Sequence, residues 1–385
     1  MPYEFITGYT NGFDDVHFVD LRSDTISKPT QAMRDSMYTA QVGDSVYGED
    51  PSVNELERRS AELVGKEDAV FVPSGTMANL LAIMVHCQKR GSEIICGNRG
   101  HTFRFEQGGP SFIAGVSQNC LTNLDDGTFD LKEMQERIRS IGDIHEPITS
   151  LIIIENTHNM CGGRVLPLEW IDELATIAKR HNLPVHMDGA RLMNAAVASK
   201  TPPARICRDV DSVCFCLSKG LAAPVGSVLA GSQQFCTLAR RYRKALGGGM
   251  RQCGFLAAAG IVAIQNLERL QLDHDKTMRI AKAINNMNSD LVRVDLKSVQ
   301  TNILMVHVDE RRVNAQEFLQ RLADVKETDT YRVSIKAASR DAGCCRFVMY
   351  WEITDEDVEM VIRKLELTIL EFHARSKLVQ IIDQQ

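Results

Sequence analysis

The chain lacks any apolar run that reads as a membrane span: the stretch Phe255 to Ile264 reaches roughly half of the ~20 residues a helical span needs. Its first eighteen residues carry acids and glycine, have no apolar core and show no arginine-rich amphipathic pattern. Neither a secretory nor a mitochondrial leader is read there, and a cytoplasmic protein is the expectation. A strong charge of one sign is also missing. A formal net charge of −6 over 385 residues points to no polyanionic partner. The densest basic cluster, Arg240 to Lys244, is interleaved with apolar helical positions as a solvated helix face, so no nucleic acid is expected. The eleven cysteines have no disulfide-framework spacing and no histidines at ligand spacing, which predicts a reducing compartment, core packing and no structural metal. There is neither a repeat period nor a low-complexity segment.

What is present is an ordinary soluble composition, 44% hydrophobic and 24% charged, on a chain long enough for one large domain with a smaller one attached. From Ala69 short apolar runs alternate with helical periods. Strands are predicted at 69–72, 93–96, 151–155, 184–188, 212–217 and 225–230, with helices from about 75 to 86 and from 168 to 181. Strands alternating with helices of this length predict an α/β fold with a mostly parallel sheet covered on both faces. After Gly249 the texture changes. Helices at 255–270, 273–287, 314–323 and 355–377 and strands at 301–308, 331–335 and 346–351 predict a small α+β C-terminal domain. The expected division is a tail over 1–18, a large domain over 19–265 and a small domain over 266–385.

Three stretches carry chemistry. Val213-Cys214-Phe215-Cys216-Leu217-Ser218-Lys219-Gly220 is an apolar strand closed by small residues, with one lysine at its exit. Desolvation there favours an uncharged amine, which can attack a carbonyl carbon to form a Schiff base. Pro73-Ser74-Gly75-Thr76-Met77 stands where a strand becomes a helix, so its amides and hydroxyls suit a phosphate. It lacks the lysine of a P-loop, which argues against a nucleoside triphosphatase. Val185-His186-Met187-Asp188-Gly189-Ala190-Arg191 ends a buried strand in a carboxylate, at the edge where parallel sheets bind ligands. Taken singly these are also a snorkelling lysine and two ordinary helix caps. Taken in order, a phosphate cradle, a strand-end aspartate and a strand-end lysine are the three parts a pyridoxal phosphate site requires.

At this point the sequence resembles the L-threonine aldolase family, fold-type-I pyridoxal phosphate enzymes grouped with the β-eliminating lyases. The motifs are Asp20-Leu21-Arg22-Ser23-Asp24-Thr25, Val42-Gly43-Asp44-Ser45-Val46-Tyr47-Gly48-Glu49-Asp50, Ser74-Gly75-Thr76-Met77, Ile154-Glu155-Asn156-Thr157-His158-Asn159, Asp188-Gly189-Ala190-Arg191, Leu217-Ser218-Lys219-Gly220-Leu221 and Gly247-Gly248-Gly249-Met250-Arg251-Gln252. The resemblance implies a seven-stranded sheet in the large domain, with Lys219 holding the cofactor aldehyde and Asp188 facing the pyridine nitrogen. It implies Gly75 and Thr76 on the phosphate, His101 stacked on the ring, and Arg191 and Arg346 with Ser23 on the substrate carboxylate. His145 is similar to the family histidine near the substrate hydroxyl, where it or a water it positions acts as base. Arg251 is similar to an arginine that reaches a neighbouring subunit's phosphate, as Tyr47 approaches a neighbouring site. The segment Arg346-Phe347-Val348-Met349-Tyr350-Trp351 departs from the family's Arg-x-Val-Thr-His pattern.

The expected function is therefore a homotetrameric (dimer of dimers), pyridoxal phosphate-dependent aldolase that splits L-threonine or L-allo-threonine into glycine and acetaldehyde. Two alternatives are a β-eliminating lyase acting on another amino acid and a non-catalytic protein that retains the fold.

Overall fold

The computed structural model describes residues 16–382, with side chains through residue 375, so most of the expected tail over 1–18 lies outside the described residues. The described chain forms two compact units. One runs over Ser27–Leu270, and the other takes the chain before it together with the chain from Gln271 onward. The first strand, β1 (His17–Asp20), pairs in parallel with a strand of the second unit and spans the expected boundary between the tail over 1–18 and the large domain from residue 19. Strand pairing is non-local, and nothing in the residues of β1 names its partner.

The Ser27–Leu270 unit is built on a seven-stranded sheet. Its strands are β2 (Asp68–Val72), β3 (Ser92–Gly97), β4 (Ser117–Leu121), β5 (Ile148–Glu155), β6 (Val185–Asp188), β7 (Ser212–Cys216) and β8 (Ser227–Gly231), in the order β2-β8-β7-β6-β5-β3-β4. β4, β3, β5, β6 and β7 are mutually parallel, and β8 runs antiparallel to β7 and β2. The mostly parallel sheet matches the expectation. β4 was not foreseen, because Ser117-Gln118-Asn119 dilute the apolar signal in a strand at the sheet edge.

Every residue of β6 and β7 is buried, as strands covered on both faces require. On one face Phe71, Ile152, Ile154, Met187, Val213 and Phe215 join the main core, backed by the helices Pro51–Val64 and Leu168–Arg180. On the other, the helix Gly75–His86 packs Ala78, Leu81, Ala82 and Val85 against Val70, Val72, Cys214 and Leu229. Helix ends follow sequence chemistry. Asp50 caps the helix that starts at Pro51 by accepting from the amides of Ser52 and Val53, and Gly65 closes it with φ 67°, a left-handed conformation that glycine adopts without strain. The apolar segment expected as one helix over 255–270 is a shorter helix, Gly254–Ala263, followed by a 3₁₀ turn over Leu267–Arg269.

The second unit holds a four-stranded antiparallel sheet in the order β12-β13-β10-β9, made of β9 (Val292–Arg293), β10 (Ile303–Val308), β12 (Ala338–Asp341) and β13 (Cys344–Val348). The parallel pair is β1 with β11 (Val333–Lys336). The helices Ala315–Ala323 and Asp355–Ile382 bury Phe318, Leu322, Val361 and Leu365 in its core. Among the described residues no helix is long and apolar enough to cross a membrane. All eleven cysteines are free thiols, and ten are buried.

Candidate active site

Parallel register places Glu155 opposite Asp188 and Asp188 opposite Cys214, so β5, β6 and β7 end at one carboxyl edge. Asp188 is 2% exposed. Its Oδ2 accepts from Asn79 Nδ2 at 2.9 Å and its Oδ1 from the Ala190 amide at 3.1 Å. Burial raises its pKa, but the charges of His101 and Lys219 and these two hydrogen bonds outweigh burial. The net effect lowers it, so the carboxylate is ionised at neutral pH. Gly189 is required by packing, since a Cβ there would lie 2.5 Å from the carbonyl oxygen of Cys214. Lys219, three residues beyond β7, is half-buried and acts electrostatically on Asp188. Arg191 is buried.

His101 lies beside them. Its amide donates to Glu155 Oε2 at 2.6 Å, and its Nδ1 is 2.9 Å from Glu106 Oε1. Burial pulls the His101 pKa down, but the Glu106 hydrogen bond and the charges of Asp188, Glu106 and Glu155 raise it above the ordinary value. Glu106, itself buried, is pushed up by desolvation and by the charge of Asp188. Gly75 and Thr76 open the helix Gly75–His86, in the first turn, where a helix has no internal acceptor for its amides. Ser74 caps that helix by accepting from the Met77 amide at 3.1 Å. A Cβ on Gly75 would approach Cys216 Sγ to 2.9 Å, so the helix start lies close to the end of β7.

Behind this edge runs a buried chain of polar groups. His186 Nε2 is 3.0 Å from Asn79 Oδ1, His186 Nδ1 is 2.9 Å from Ser212 Oγ, and His86 Nε2 is 2.8 Å from the same hydroxyl. Burial first, then the neighbouring His186, pushes His86 down to about 3. Burial pushes His186 down to about 4, with Asp188 opposing. The unfolded chain protonates both near the ordinary histidine value, whereas the native state does not. Unfolding therefore takes up protons, and stability is fully present above about pH 6.5 and is lost as pH falls toward 4. At pH 5 His186 alone is expected to cost about 2 kcal/mol relative to pH 7. Urea midpoints at the two pH values check this, and His186→Gln should show a shallower pH dependence.

Comparison with known proteins places this geometry. The family model described as beta-eliminating lyase matches residues 20–311. A protein of Arabidopsis thaliana named probable low-specificity L-threonine aldolase 2 is 45% identical over 91% of this chain and 97% of its own length. The chain belongs to the beta-eliminating lyase family. The low specificity L-threonine aldolase of Escherichia coli (strain K12) is 44% identical over 77% of this chain and 86% of its own. A solved threonine aldolase of Leishmania major superposes with a TM-score of 0.75, covering 91% of this chain and 99% of that one at 18% identity, a likeness of fold.

In this beta-eliminating lyase chain the remaining candidate residues are Tyr47, Arg251, Ser23, Arg346 and His145. Arg251 Nη1 pairs with Asp44 Oδ2 at 2.8 Å, and its guanidinium lies 6.0 Å from the ring centre of Tyr47, which is 75% exposed. The preceding glycine loop rests on the helix Gly75–His86, since a Cβ on Gly248 would meet Met77 Sδ at 2.5 Å. In the second unit, Arg346 of β13 is buried and donates to the carbonyl of Arg22 at 2.9 Å, while the neighbouring Ser23 hydroxyl accepts from the Thr25 amide.

His145 is the exception. The sequence reading grouped it with His101, but it is exposed, with its amide on Asp143 Oδ1, in the loop that enters β5. Ile148 to Glu155 spans about 23 Å at ~3.3 Å per residue, so within one copy His145 stands at the opposite end of β5 from His101. The sequence reading also missed Asn79, Glu106 and His186. Asn79 had a signal, as the one amide among the buried residues of an otherwise apolar helix. Glu106 had none, because nothing in its position five residues after His101 foretells the hydrogen bond.

Proposed function

We propose that this chain is a pyridoxal phosphate-dependent aldolase that cleaves L-threonine and L-allo-threonine to glycine and acetaldehyde. The observation that carries the reading is the buried, ionised Asp188 at the end of β6, within electrostatic reach of Lys219 at the exit of β7. The donor set fits the cofactor. A buried anion suits a protonated ring nitrogen, an amine suits an aldehyde, and a glycine cradle at a helix N-terminus suits a phosphate. When bound, pyridoxal phosphate supplies the electron sink for cleavage at Cα.

The chain's own residues do the rest. The amides of Gly75 and Thr76 bind the phosphate, and Asp188 holds the ring-nitrogen proton. Lys219 would hold the cofactor through its aldehyde. Glu106 fixes the Nδ1 side of the His101 ring, which leaves the ring face to stack on the cofactor. Arg191 and Arg346, with Ser23, take the substrate carboxylate, where the planar guanidinium offers paired donors. The proton of the β-hydroxyl is assigned to His145, directly or through a water, because histidine titrates near neutrality. Standing at the amino end of β5 in its own copy, His145 serves a neighbouring copy. This agrees with a homotetramer, a dimer of dimers, in which Tyr47 and Arg251 also cross between sites. The reading places the enzyme in the cytoplasm, in threonine breakdown and glycine formation.

The family's description supports a second reading, β-elimination from another amino acid. Product analysis separates them. With pyridoxal phosphate and L-threonine the chain is expected to release glycine and acetaldehyde in equal amounts. Pyruvate with ammonia from a serine-like or aromatic amino acid, and no acetaldehyde, would favour elimination.

A further inference from the structure

The helix Gly75–His86 buries Ala78, Leu80, Leu81, Ala82, Ile83 and Val85, and among them one amide, Asn79, at 1% exposure. Burying an amide there is unfavourable unless its hydrogen bonds are made, and all of them are. The Nδ2 group gives one proton to Asp188 Oδ2 at 2.9 Å and the other to Glu106 Oε1 at 2.8 Å. Oδ1 faces His186 Nε2 at 3.0 Å and Cys214 Sγ at 3.2 Å.

The partners fix the orientation. Asp188 is an ionised carboxylate that can only accept, so the NH2 must point at the acids and Oδ1 at His186. His186 then carries its proton on Nε2, its Nδ1 accepts from the Ser212 hydroxyl, and that oxygen accepts from His86 Nε2. The row runs without a break from the last residue of the helix to Asp188. Along it, the helix is tied to β6 through His186 and Asp188 and to β7 through Ser212 and Cys214.

Gly75 and Asn79 are four residues apart, so they share one helix face about one turn from each other. The first belongs to the phosphate cradle and the second grips the acid assigned to the ring nitrogen. Asn79 also bridges two carboxyl groups that would otherwise repel.

We propose that Asn79 is a positioning residue that holds the Asp188 carboxylate on the cofactor's ring nitrogen, setting its orientation and its distance from the phosphate cradle. The proposal rests on the assignment of Asp188 made above. The test compares dissociation constants of cofactor-free protein for pyridoxal phosphate and for its 1-deaza analogue, in which CH replaces the ring nitrogen. Wild type is expected to prefer the natural cofactor by about tenfold or more, as a charge-assisted hydrogen bond provides. Asn79→Leu keeps the side-chain volume and removes the hydrogen bonds. It is expected to bring the ratio to within about threefold of one while binding the deaza analogue nearly as well as wild type.

A variant that keeps the wild-type ratio overturns the role of Asn79, as does one that loses affinity for both compounds equally, which is a structural effect alone. A wild-type ratio near one overturns the Asp188 assignment, and this inference with it. If Asn79→Leu does not fold, histidine-selective ¹⁵N spectra of the wild-type protein decide. His186 neutral with its proton on Nε2 is expected, and a proton on Nδ1 would mean that the Asn79 amide does not point at the two acids.

Discussion

Replacing Lys219 with alanine is expected to lower kcat for threonine cleavage by on the order of 10³-fold or more, with the unfolding midpoint nearly unchanged. Lys219 leaves the sheet just after β7, whose five residues are all buried, so its Cα is held by the core while its side chain is only half-buried. Truncation removes the amine and little packing. The loss should show as failure to retain pyridoxal phosphate through dialysis and as absence of turnover, with far-ultraviolet circular dichroism like that of wild type. Turnover within a few fold of wild type would remove Lys219 from the reaction.

Asp188→Asn is expected to lower kcat by about 10²- to 10³-fold, the range for losing one preorganised charge at a reacting centre. The substitution keeps shape, but the Asp188 oxygens accept from both Asn79 and Ala190, and an amide offers only one acceptor atom. The variant also loses the charge that faces Lys219 and His101. Because that charge helps raise the His101 pKa, any limb of the pH–rate profile set by His101 should move to lower pH. A limb that stays in place, with kcat near wild type, would show that Asp188 acts on neither.

The exit that carries Lys219 was legible because β7 is buried on both faces, which leaves the uninterrupted apolar run Val213 to Leu217, whereas Asp188 was legible as an acid closing the buried strand Val185-His186-Met187. The start of the helix Gly75–His86 was legible from Ser74, a cap between strand and helix. β4, β9 and β12 were not, since short or polar edge strands owe their state to a neighbour's hydrogen bonds and not to their own residues. Asn79, Glu106 and His186 belong to a network that closes across more than a hundred residues of chain, between one helix, the strand β6 and the bend that holds Glu106. No local pattern reports such closure. His145 shows the converse: likeness to a family histidine singled it out, whereas the direction of β5 sets it, within one chain, at the opposite end of that strand from His101.

Chemical trapping tests whether the cofactor is held at the exit of β7. The protein is incubated with pyridoxal phosphate, reduced with borohydride, digested, and its peptides are sequenced by mass spectrometry. A single pyridoxyl group on the lysine of Leu217-Ser218-Lys219-Gly220 is the predicted result. Modification spread over surface lysines, with Lys219 unlabelled, would remove the cofactor from the exit of β7.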